Sequence, residues 1–548
     1  MKKSAKPISF VFYCIEMILG IMFLLFLIKA HYYRAAGCIL WAFIFAYLYL
    51  IQPFSKYLNI PFASSDGSLK KSHECITFIT CAILILACTL PMGLAPAYNG
   101  EFPQHRNQYE LLAHSLKDGH VYLDLPVDPK LMQINPYEPA ERVAAEVSAY
   151  SDHAFYNGKY YMYFGVVPVI LLFLPYLLIT GQDLTTYHAT QFFAAFAILG
   201  IFLLFRKLTK KYFPSISYLL FLSMTTAFAT ICVYFSIGTP ALYCTATTSA
   251  ACFSIWSIYF FVSSVYLTDA KLRAKRVLLA SLGSLCGAAA FGCRPSGALG
   301  AFLLVIPFFM EYLRTEIQSA KNEKAFLPKL ILRIFLIGLP YVVIGLLLMY
   351  YNYIRFGTPT EFGQSYQLTV CDQSKYGSFF EQFSTVRTVN GILYNFIGFT
   401  PIIGEFPFVY YNSVFVNFPL LLMIFGAFTE KGREFARQAK MRLLFAFLFA
   451  APLITTVMQI AWAPGNGSAE RYRMDIYYVI TFLAFLVIAS LVKSLPEKKK
   501  PLRCSLICLF CLQIVFFCTL FLLFPDDYNY THWFPEKLPL IRQIFMFK

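Results

Sequence analysis

Apolar runs of membrane-spanning length alternate with short polar connections along almost the entire chain. A helix needs roughly 20 mostly apolar residues to cross the hydrocarbon layer of a bilayer. By that rule about fourteen segments qualify. They are residues 7–29, 36–54, 75–93, 162–180, 188–205, 216–236, 245–267, 277–292, 297–312, 330–351, 408–428, 442–462, 474–493 and 504–524. This pattern predicts an all-α membrane protein with many crossings.

One of these segments, 162–180, contains Pro168 and Pro175. Proline inside a helix removes a backbone hydrogen bond and kinks or breaks the helix. If 162–180 and 188–205 both crossed, the basic run 206–211 would lie outside, although basic connections prefer the cytoplasmic side. We therefore expect 162–180 to be broken or re-entrant, which leaves about thirteen crossings.

The composition agrees with a membrane protein. Of 548 residues, 58% are apolar and only 14% are charged, whereas soluble domains carry about 25% charged residues. The net charge of +16 reflects Lys and Arg gathered in short connections such as 206–211, 271–276 and 498–503. That distribution is the positive-inside signal and not a nucleic-acid surface. We expect a multi-pass protein with a cytoplasmic N-terminus, an exterior C-terminus and no nucleic-acid partner.

Cysteine and metal-ligand patterns exclude several other classes. Nearly all 15 cysteines lie in apolar segments, and the pair Cys508 and Cys511 lies in a run of Leu, Ile and Phe. No disulfide framework follows from such positions. The chain contains no Gly-rich phosphate-binding sequence, no HExxH sequence and no His/Cys cluster with metal-ligand spacing. It therefore predicts no cofactor and no metal-ligating residues, and it leaves open whether the protein uses a divalent metal.

The longest polar interval, residues 94–161, follows one membrane-length segment and precedes another. Irregular backbone is excluded from the hydrocarbon, so this interval is expected to cap the protein on the exterior side. Apolar positions spaced for one helix face predict a helix over 105–117. A proline-initiated second helix is predicted over 139–150. Asn157-Gly158, between two aromatic runs, predicts a β-hairpin.

Three parts of the chain follow from these boundaries. Residues 1–74 are expected to form a transmembrane hairpin and a cytoplasmic loop. Residues 75–493 form the membrane core, with exterior loops at 94–161 and 352–407. Residues 494–548 form the last transmembrane helix and an exterior tail.

Acidic side chains in the large exterior loop are candidates for a general base. Such a base must lie within hydrogen-bond reach of the proton it removes, and carboxylates commonly serve. Asp152 is the first candidate, because Asp152-His153 comes immediately before the hairpin and the next membrane segment. Asp128, in a proline-bounded stretch, and Glu101 are the others. For each acid the competing interpretation is a solvated surface charge.

Four arginines lie beside apolar segments on the expected exterior side. Arg294 is in GCRPSG, Arg355 is in YNYIRFG, and Arg471 and Arg473 are in NGSAERYRMD. Charges this close to hydrocarbon are expensive and often functional, and guanidinium groups bind phosphate bidentately. We expect arginines from separate turns to converge on a phosphate group. The alternative is that each one snorkels separately to the interface.

Aromatic and amide side chains form a third set of candidates. Tyr366 follows Glu361 and Gln364 in EFGQSYQL, and Tyr472 lies between two of the arginines. Tyrosines beside amides suit the face of a sugar ring, but they also describe the aromatic belt of any membrane protein. Tyr366, Tyr472 and His153 are therefore candidate substrate contacts.

Two stretches together resemble a known family. QYELLAHSLKDGHVYLD at 108–124 and YNGKYYMYFGVVPVILLFLPYLL at 156–178 are similar to the corresponding parts of bacterial GT-C-type membrane glycosyltransferases. The protein-mannosyltransferase-like and aminoarabinose-transferase-like branch is the most similar, over about residues 75–493.

The resemblance implies a GT-C-like fold and a site at the outer face of a bacterial plasma membrane. It implies a sugar donor carried on polyprenyl phosphate, with basic residues on the phosphate. The acceptor would be an envelope glycan, lipid or protein. In this family an acid of the first exterior loop is catalytic.

The chain departs from that family at the position of its acidic pair. The family places an Asp or an Asp-Glu pair a few residues before a tyrosine that matches Tyr109, whereas this chain has His105-Arg106-Asn107 there. These three side chains then become candidate substrate contacts. Either one of the three loop acids is the base, or the protein has lost transferase chemistry and binds a glycolipid. A lipid-linked glycan polymerase, ligase or flippase is the remaining alternative.

Overall fold

The computed structural model describes residues 5–64, 69–89, 108–238, 242–267, 269–320, 326–375, 383–399, 412–462, 470–523 and 538–546. Helices dominate this part of the chain. Eleven of them are long and apolar enough to cross a membrane, judged by length and composition. The predicted class is therefore confirmed: this is an all-α, multi-pass membrane protein.

The elements are numbered in the order in which they follow one another along the chain. In order they are α1 (Ala5–Ile28), α2 (Tyr32–Ile51), α3 (Lys71–Thr89), α4 (Gln108–Lys117), α5 (Pro139–Ala144), β1 (Ala154–Tyr156), β2 (Lys159–Tyr161), α6 (Leu174–Thr180), α7 (Thr186–Tyr212), α8 (Tyr218–Ile231), α9 (Tyr234–Gly238), α10 (Leu242–Tyr266), α11 (Arg273–Cys293), α12 (Pro295–Ala320), α13 (Phe326–Phe356), α14 (Thr385–Ile397), α15 (Val414–Asn417), α16 (Glu430–Gln438), α17 (Arg442–Trp462), α18 (Met474–Lys493), α19 (Lys500–Leu523) and α20 (Leu538–Met546). The eleven long apolar helices are α1 to α3, α7, α10 to α13 and α17 to α19.

Three predicted segments contain shorter helices. In 162–180 a π-helical turn, Val169–Phe173, leads directly into α6, so the helix occupies only part of the segment. That the segment is broken or re-entrant stays a prediction. Segment 216–236 is divided between α8 and α9. The described part of the third segment, 412–428, holds α15 and a 3-10 helix. Each single piece is too short to span a hydrocarbon layer of roughly 30 Å, and the total number of crossings stays a prediction.

Contacts between helix ends define two ends of the bundle. At one, which we call the basic end, Arg206 near the end of α7 pairs with Glu74 near the start of α3. At the other, the loop end, Tyr243 near the start of α10 donates to Asp152 of the large loop. Two residues further along α10, Thr245 donates to the carbonyl of Thr186 at the start of α7. The run 206–211 therefore lies at the opposite end from the large loop, as a broken 162–180 segment requires.

The centre of the bundle is α18, which is buried along almost its entire length. Around it, helices approach each other through glycines: Gly200 of α7 lies against Ile255 of α10, and Gly283 of α11 lies against Phe261. Membrane helices use small residues in this way because lipid provides no hydrophobic drive for their association. By contrast, few residues of α13 are buried, as expected for a lipid-facing helix.

The large loop packs onto the loop end through α4. This helix matches the predicted one from residue 108 onward, while 105–107 lie outside the described residues. Tyr109 is fully buried, and its ring centroid lies 5.8 Å from that of Phe164 and 5.1 Å from that of Phe173. This aromatic packing joins the loop to the segment ahead of α6.

The predicted hairpin is confirmed as an antiparallel pair of β1 and β2. Its turn residues Asn157 and Gly158 have φ values of +48° and +72°, the left-handed pair that a two-residue turn of this kind requires. The second predicted helix is shorter than 139–150. It ends at Ala144 because Glu146 takes a left-handed backbone with φ +53°, which a right-handed helix cannot accommodate.

A buried ion network ties three helices together at the basic end. Glu316 of α12 accepts hydrogen bonds from Arg276 of α11 at 2.6 Å and from Arg333 of α13 at 2.5 Å. The side chains of Arg276 and Glu316 are almost completely buried. Removing one partner of such a network leaves buried charge without compensation, which is strongly destabilising.

We predict that Glu316→Ala lowers the free energy of unfolding by about 3–5 kcal/mol, because two arginines lose their buried counter-charge. The matched control is Glu311→Ala on the same helix, which removes a half-exposed acid 3.9 Å from Arg314. A surface pair of this kind contributes at most about 1 kcal/mol. Thermal unfolding in detergent micelles measures both variants. Equal melting temperatures would contradict the stabilising role of the network.

Candidate functional site

The backbone of Asp152 is fixed from two sides. Its N–H donates to the carbonyl of Leu368 at 2.7 Å, and its carbonyl accepts from Gln108 Nε2 at 2.7 Å. The residue has φ +58°, a left-handed conformation that Asp tolerates better than most residues. The turn before β1 is thus held between α4 and the chain that follows α13.

The carboxylate of Asp152 accepts one hydrogen bond on each oxygen. The Tyr243 hydroxyl donates to Oδ2, and Gln367 Nε2 donates to Oδ1 at 3.0 Å. A carboxylate has about four acceptor positions, so both oxygens retain capacity for another donor. Three separate elements therefore meet here: the large loop, the start of α10 and the segment after α13.

Two of the predicted arginines converge next to this carboxylate. The guanidinium carbon of Arg471 lies 4.3 Å from the ring centroid of Tyr243 and 5.2 Å from that of Tyr472. The guanidinium carbon of Arg294 lies 4.7 Å from the Tyr472 ring. These are cation–π distances. Asp152, Tyr243, Arg471, Tyr472 and Arg294 thus form a continuous group, which we call the loop-end site.

Arg294 is held in place by a buried acid. Its Nε lies 3.2 Å from Oδ1 and 3.0 Å from Oδ2 of Asp475, whose side chain is 0% exposed. Ser296 Oγ and Gln459 Nε2 each donate to Oδ2 of the same acid at 2.8 Å. The ion pair uses only the Nε of Arg294. Among the described residues, its two terminal nitrogens have no hydrogen-bond partner.

Arg471 is surrounded by aromatic rings. It forms no ion pair with a described residue, and its Nε is buried without a partner there, as are the Nε atoms of several other arginines. Tyr163 is close enough to Arg471, Asp152 and Tyr243 to interact with them electrostatically. Two guanidinium groups with unused donors can bind an anion such as phosphate. No group of three metal-ligating side chains occurs in the described part of the chain.

The other two predicted arginines have structural partners. Arg355 donates to the carbonyl of Met162 at 2.6 Å and to Asn352 Oδ1 at 2.6 Å. Arg473 donates to the carbonyl of Asn412 at 2.5 Å and to Asn395 Oδ1 at 3.2 Å. Both side chains are buried. They fix loop segments around the loop-end site, and neither side chain donates a hydrogen bond to a described residue of that site.

Asp128 has a capping role away from the loop-end site. Its two carboxylate oxygens accept from the N–H groups of Lys130 and Ser148, each at 3.0 Å. The first of these bonds begins the 3-10 turn Pro129–Met132. The third predicted acid, Glu101, and the predicted contacts His105, Arg106 and Asn107 lie outside the described residues.

Two further predicted contacts support the hairpin. His153 is buried, with Nδ1 2.9 Å from the carbonyl of Ser151. The ring of Tyr366 lies 4.5 Å from that of Tyr156 and 5.4 Å from that of Phe356. These residues help to position the loop, while Tyr472 is the predicted aromatic contact that belongs to the loop-end site.

Sequence reasoning missed Tyr243 and Asp475. Tyr243 stands at the start of an apolar run, where aromatic residues are common in membrane proteins, so nothing in the sequence marks it. Asp475 carried a usable signal, because an acid in the first turn of a membrane helix is rare and tends to have a partner or a function.

Comparison of the chain with family models, curated proteins and solved structures finds no match. The residues of the site themselves therefore indicate its chemical class. These residues are one accessible carboxylate, two arginines with unused donors and the tyrosines that separate them.

We predict that Asp128→Asn lowers the melting temperature at neutral pH and that the difference from wild type shrinks in acid. Hydrogen bonds from the N–H groups of Lys130 and Ser148 lower the pKa of Asp128. A carboxylate whose pKa is lowered by folding stabilises the protein above its unfolded pKa of about 4, and this contribution is lost as the pH falls through the folded value.

Melting curves from about pH 7 to about pH 3 test this prediction. Asp118→Asn, at an exposed acid just after α4, is the control and should follow wild type throughout. A constant difference between Asp128→Asn and wild type at every pH would show that the charge of Asp128 contributes nothing.

Gly165 brings the chain bearing Tyr163 against the end of α11. A Cβ atom at Gly165 would collide with the backbone carbonyl oxygens of Gly292 and Cys293. Gly165→Ala should cost about 1–3 kcal/mol of stability, as overpacking typically does. Gly338→Ala is the control, because it has nothing within 4 Å and should be neutral or stabilising by up to about 1 kcal/mol. If Gly165→Ala and Gly338→Ala change the melting temperature equally, the close approach at Gly165 is ruled out.

Proposed function

We propose that this protein is a GT-C-type membrane glycosyltransferase that moves a sugar from a polyprenyl-phosphate carrier to a cell-envelope acceptor. The proposed setting is the outer face of a bacterial plasma membrane. The main support is that Arg294 and Arg471 meet around Tyr472, with Asp152 beyond Tyr243. A lipid-linked sugar phosphate needs cations for its phosphate and a base for its acceptor, and the loop-end site offers both.

In the proposed reaction an acceptor oxygen forms a bond to the anomeric carbon of the sugar. The bond from that carbon to the phosphate oxygen breaks, and the proton of the acceptor passes to the carboxylate of Asp152. Arg294 and Arg471 stabilise the negative charge that develops on the departing phosphate. Because Asp475 already holds Arg294 in place, the site needs little reorganisation to do so.

The position of the site also favours a lipid-linked donor. Tyr243 lies near the start of α10, Arg294 joins α11 to α12, and Arg471 lies just before α18. The ends of membrane helices lie near the polar headgroup layer. A carrier lipid whose phosphate lies in that layer would present it to the two arginines.

The rival functions find less support in the described residues. A flippase or transporter typically has ionisable residues midway along several of its spans. Glu16 stands midway along α1, whereas Asp475 lies in the first turn of α18 and the Arg276–Glu316 pair lies toward the basic end. The geometry does not distinguish a polymerase or ligase from the proposed transferase, because Gln367 of the second exterior loop also bonds to Asp152. A non-catalytic glycolipid-binding scaffold is separated from an enzyme by the experiment below.

We predict that Asp152→Asn lowers turnover by about 10²- to 10⁴-fold, the usual contribution of a general base. The purified full-length chain would be incubated with a panel of undecaprenyl-phosphate sugars, and release of undecaprenyl phosphate would be measured. A crude envelope extract would supply the acceptor, so the acceptor need not be identified for this measurement. Arg294→Lys and Arg471→Lys should each weaken donor use roughly tenfold or more, because a charge-assisted hydrogen bond is lost.

Matched controls come from similar side chains outside the site. Asp118→Asn and Arg314→Lys change exposed groups and should leave turnover unchanged. If Glu101→Gln abolishes turnover and Asp152→Asn does not, the base assignment moves to Glu101. If wild type binds undecaprenyl phosphate through Arg294 and Arg471 but releases none from any sugar donor, the protein is a glycolipid-binding scaffold.

A further inference from the structure

Helix α14 has its apolar side turned outward. Val386, Val389, Leu393 and Ile397 expose 71%, 49%, 47% and 57% of their surface. Their spacing of three or four residues places them on one face of the helix. The opposite face, which packs against the protein, carries Thr388, Gly391 and Asn395 as its buried residues.

This arrangement is the reverse of that expected in water. A helix on the surface of a soluble protein turns its apolar stripe toward the core and its polar residues toward solvent. On α14 the buried residues are small or polar, whereas four of the exposed residues are branched and apolar, with Asn390 as an exposed polar residue among them. The balance of this face indicates that the surroundings of α14 are apolar. At 13 residues the helix is about 20 Å long, which is too short to cross a hydrocarbon layer of roughly 30 Å.

Contacts with α17 fix the level of α14 along the bundle. Arg387 donates to the carbonyls of Ile460 and Ala461, at 2.7 and 2.9 Å, in the last turn of α17. A cation at this position also compensates the negative end of the helix dipole. Helix α17 is one of the long apolar helices, and it exposes Leu453 and Ile454 along its side. Because Arg387 contacts the last turn of α17, α14 lies at the edge of this lipid-facing surface.

We propose that α14 is an interfacial helix whose face of Val386, Val389, Leu393 and Ile397 is embedded among the acyl chains of the leaflet at the loop end. Its partner is thus the lipid bilayer. Helices that lie in the interface insert one apolar face at the boundary of headgroups and acyl chains. The exposed apolar side of α17 continues this surface, and Arg387 is placed to keep α14 at that boundary.

The same helix is joined to the chain that carries the loop-end site. Asn395 Oδ1 accepts from Arg473 Nε at 3.2 Å, and the Arg473 guanidinium lies 5.5 Å from the ring of Tyr394. Arg473 directly follows Tyr472 in the sequence. If α14 is embedded in lipid, it therefore fixes the depth of the segment with Tyr472 and Arg473 relative to the bilayer. The inference does not depend on the proposed transferase activity, because its test uses no substrate.

The test is lipid photolabelling of the wild-type chain. The full-length protein is reconstituted into vesicles of phosphatidylcholine and phosphatidylglycerol, with a diazirine group on one acyl chain, and labelled residues are found by mass spectrometry. We expect labels on Val389 and Leu393, and on the exposed α13 residues Leu346 and Leu347 as positive controls. Val143, an exposed apolar residue of the large loop, should remain unlabelled.

Labels on α13 without labels on α14 would overturn the proposal, as would equal labelling of Val143. If α14 is unlabelled and the protein elutes as a dimer, a second copy covers this face in place of lipid. Two variants provide an independent measurement. Leu393→Asp should lower the melting temperature in lipid nanodiscs, while Val143→Asp should leave it unchanged. Equal shifts for both variants would also overturn the proposal.

Discussion

The buried pair of Arg294 and Asp475 is the contact on which the loop end depends. A carboxylate with no exposed surface is costly unless partners compensate its charge, and Asp475 receives donors from three residues: Arg294, Ser296 and Gln459. These bonds join the α11–α12 turn, the end of α17 and the start of α18. They also determine where the free nitrogens of Arg294 lie. The geometry of the site therefore follows from the need to compensate the buried charge of Asp475.

Tyrosine rings separate the charges of the loop-end site from one another. Tyr243 hydrogen-bonds to Asp152 and also lies against Arg471, while Tyr472 contacts both arginines. If Asp152 paired directly with an arginine, the pair would favour the ionised carboxylate and weaken it as a base. A neutral phenol between the two leaves the carboxylate free to accept a proton and the guanidinium groups free to bind an anion.

Much of the fold was predictable, because membrane-length apolar runs and an Asn-Gly turn are local signals. Of the site, Asp152, Arg294, Arg471 and Tyr472 were predicted by their positions beside membrane segments, and the structure brings them together. Arg355 had the same kind of position, yet it bonds to Met162, which is 193 residues away. The sequence does not reveal such a partner, so it cannot separate an arginine with free donors from one whose donors are used.

The two ends of the bundle show how this difference arises. At the basic end Glu316 receives an arginine on each carboxylate oxygen, and Arg276 also donates to the carbonyls of Ser264 and Tyr312. That network is complete within the protein and serves stability. At the loop end Asp475 pairs with one nitrogen of Arg294, and Arg471 has no carboxylate partner among the described residues. Buried donors left open cost free energy unless something binds them, so the loop end, unlike the basic end, retains capacity to bind an anion.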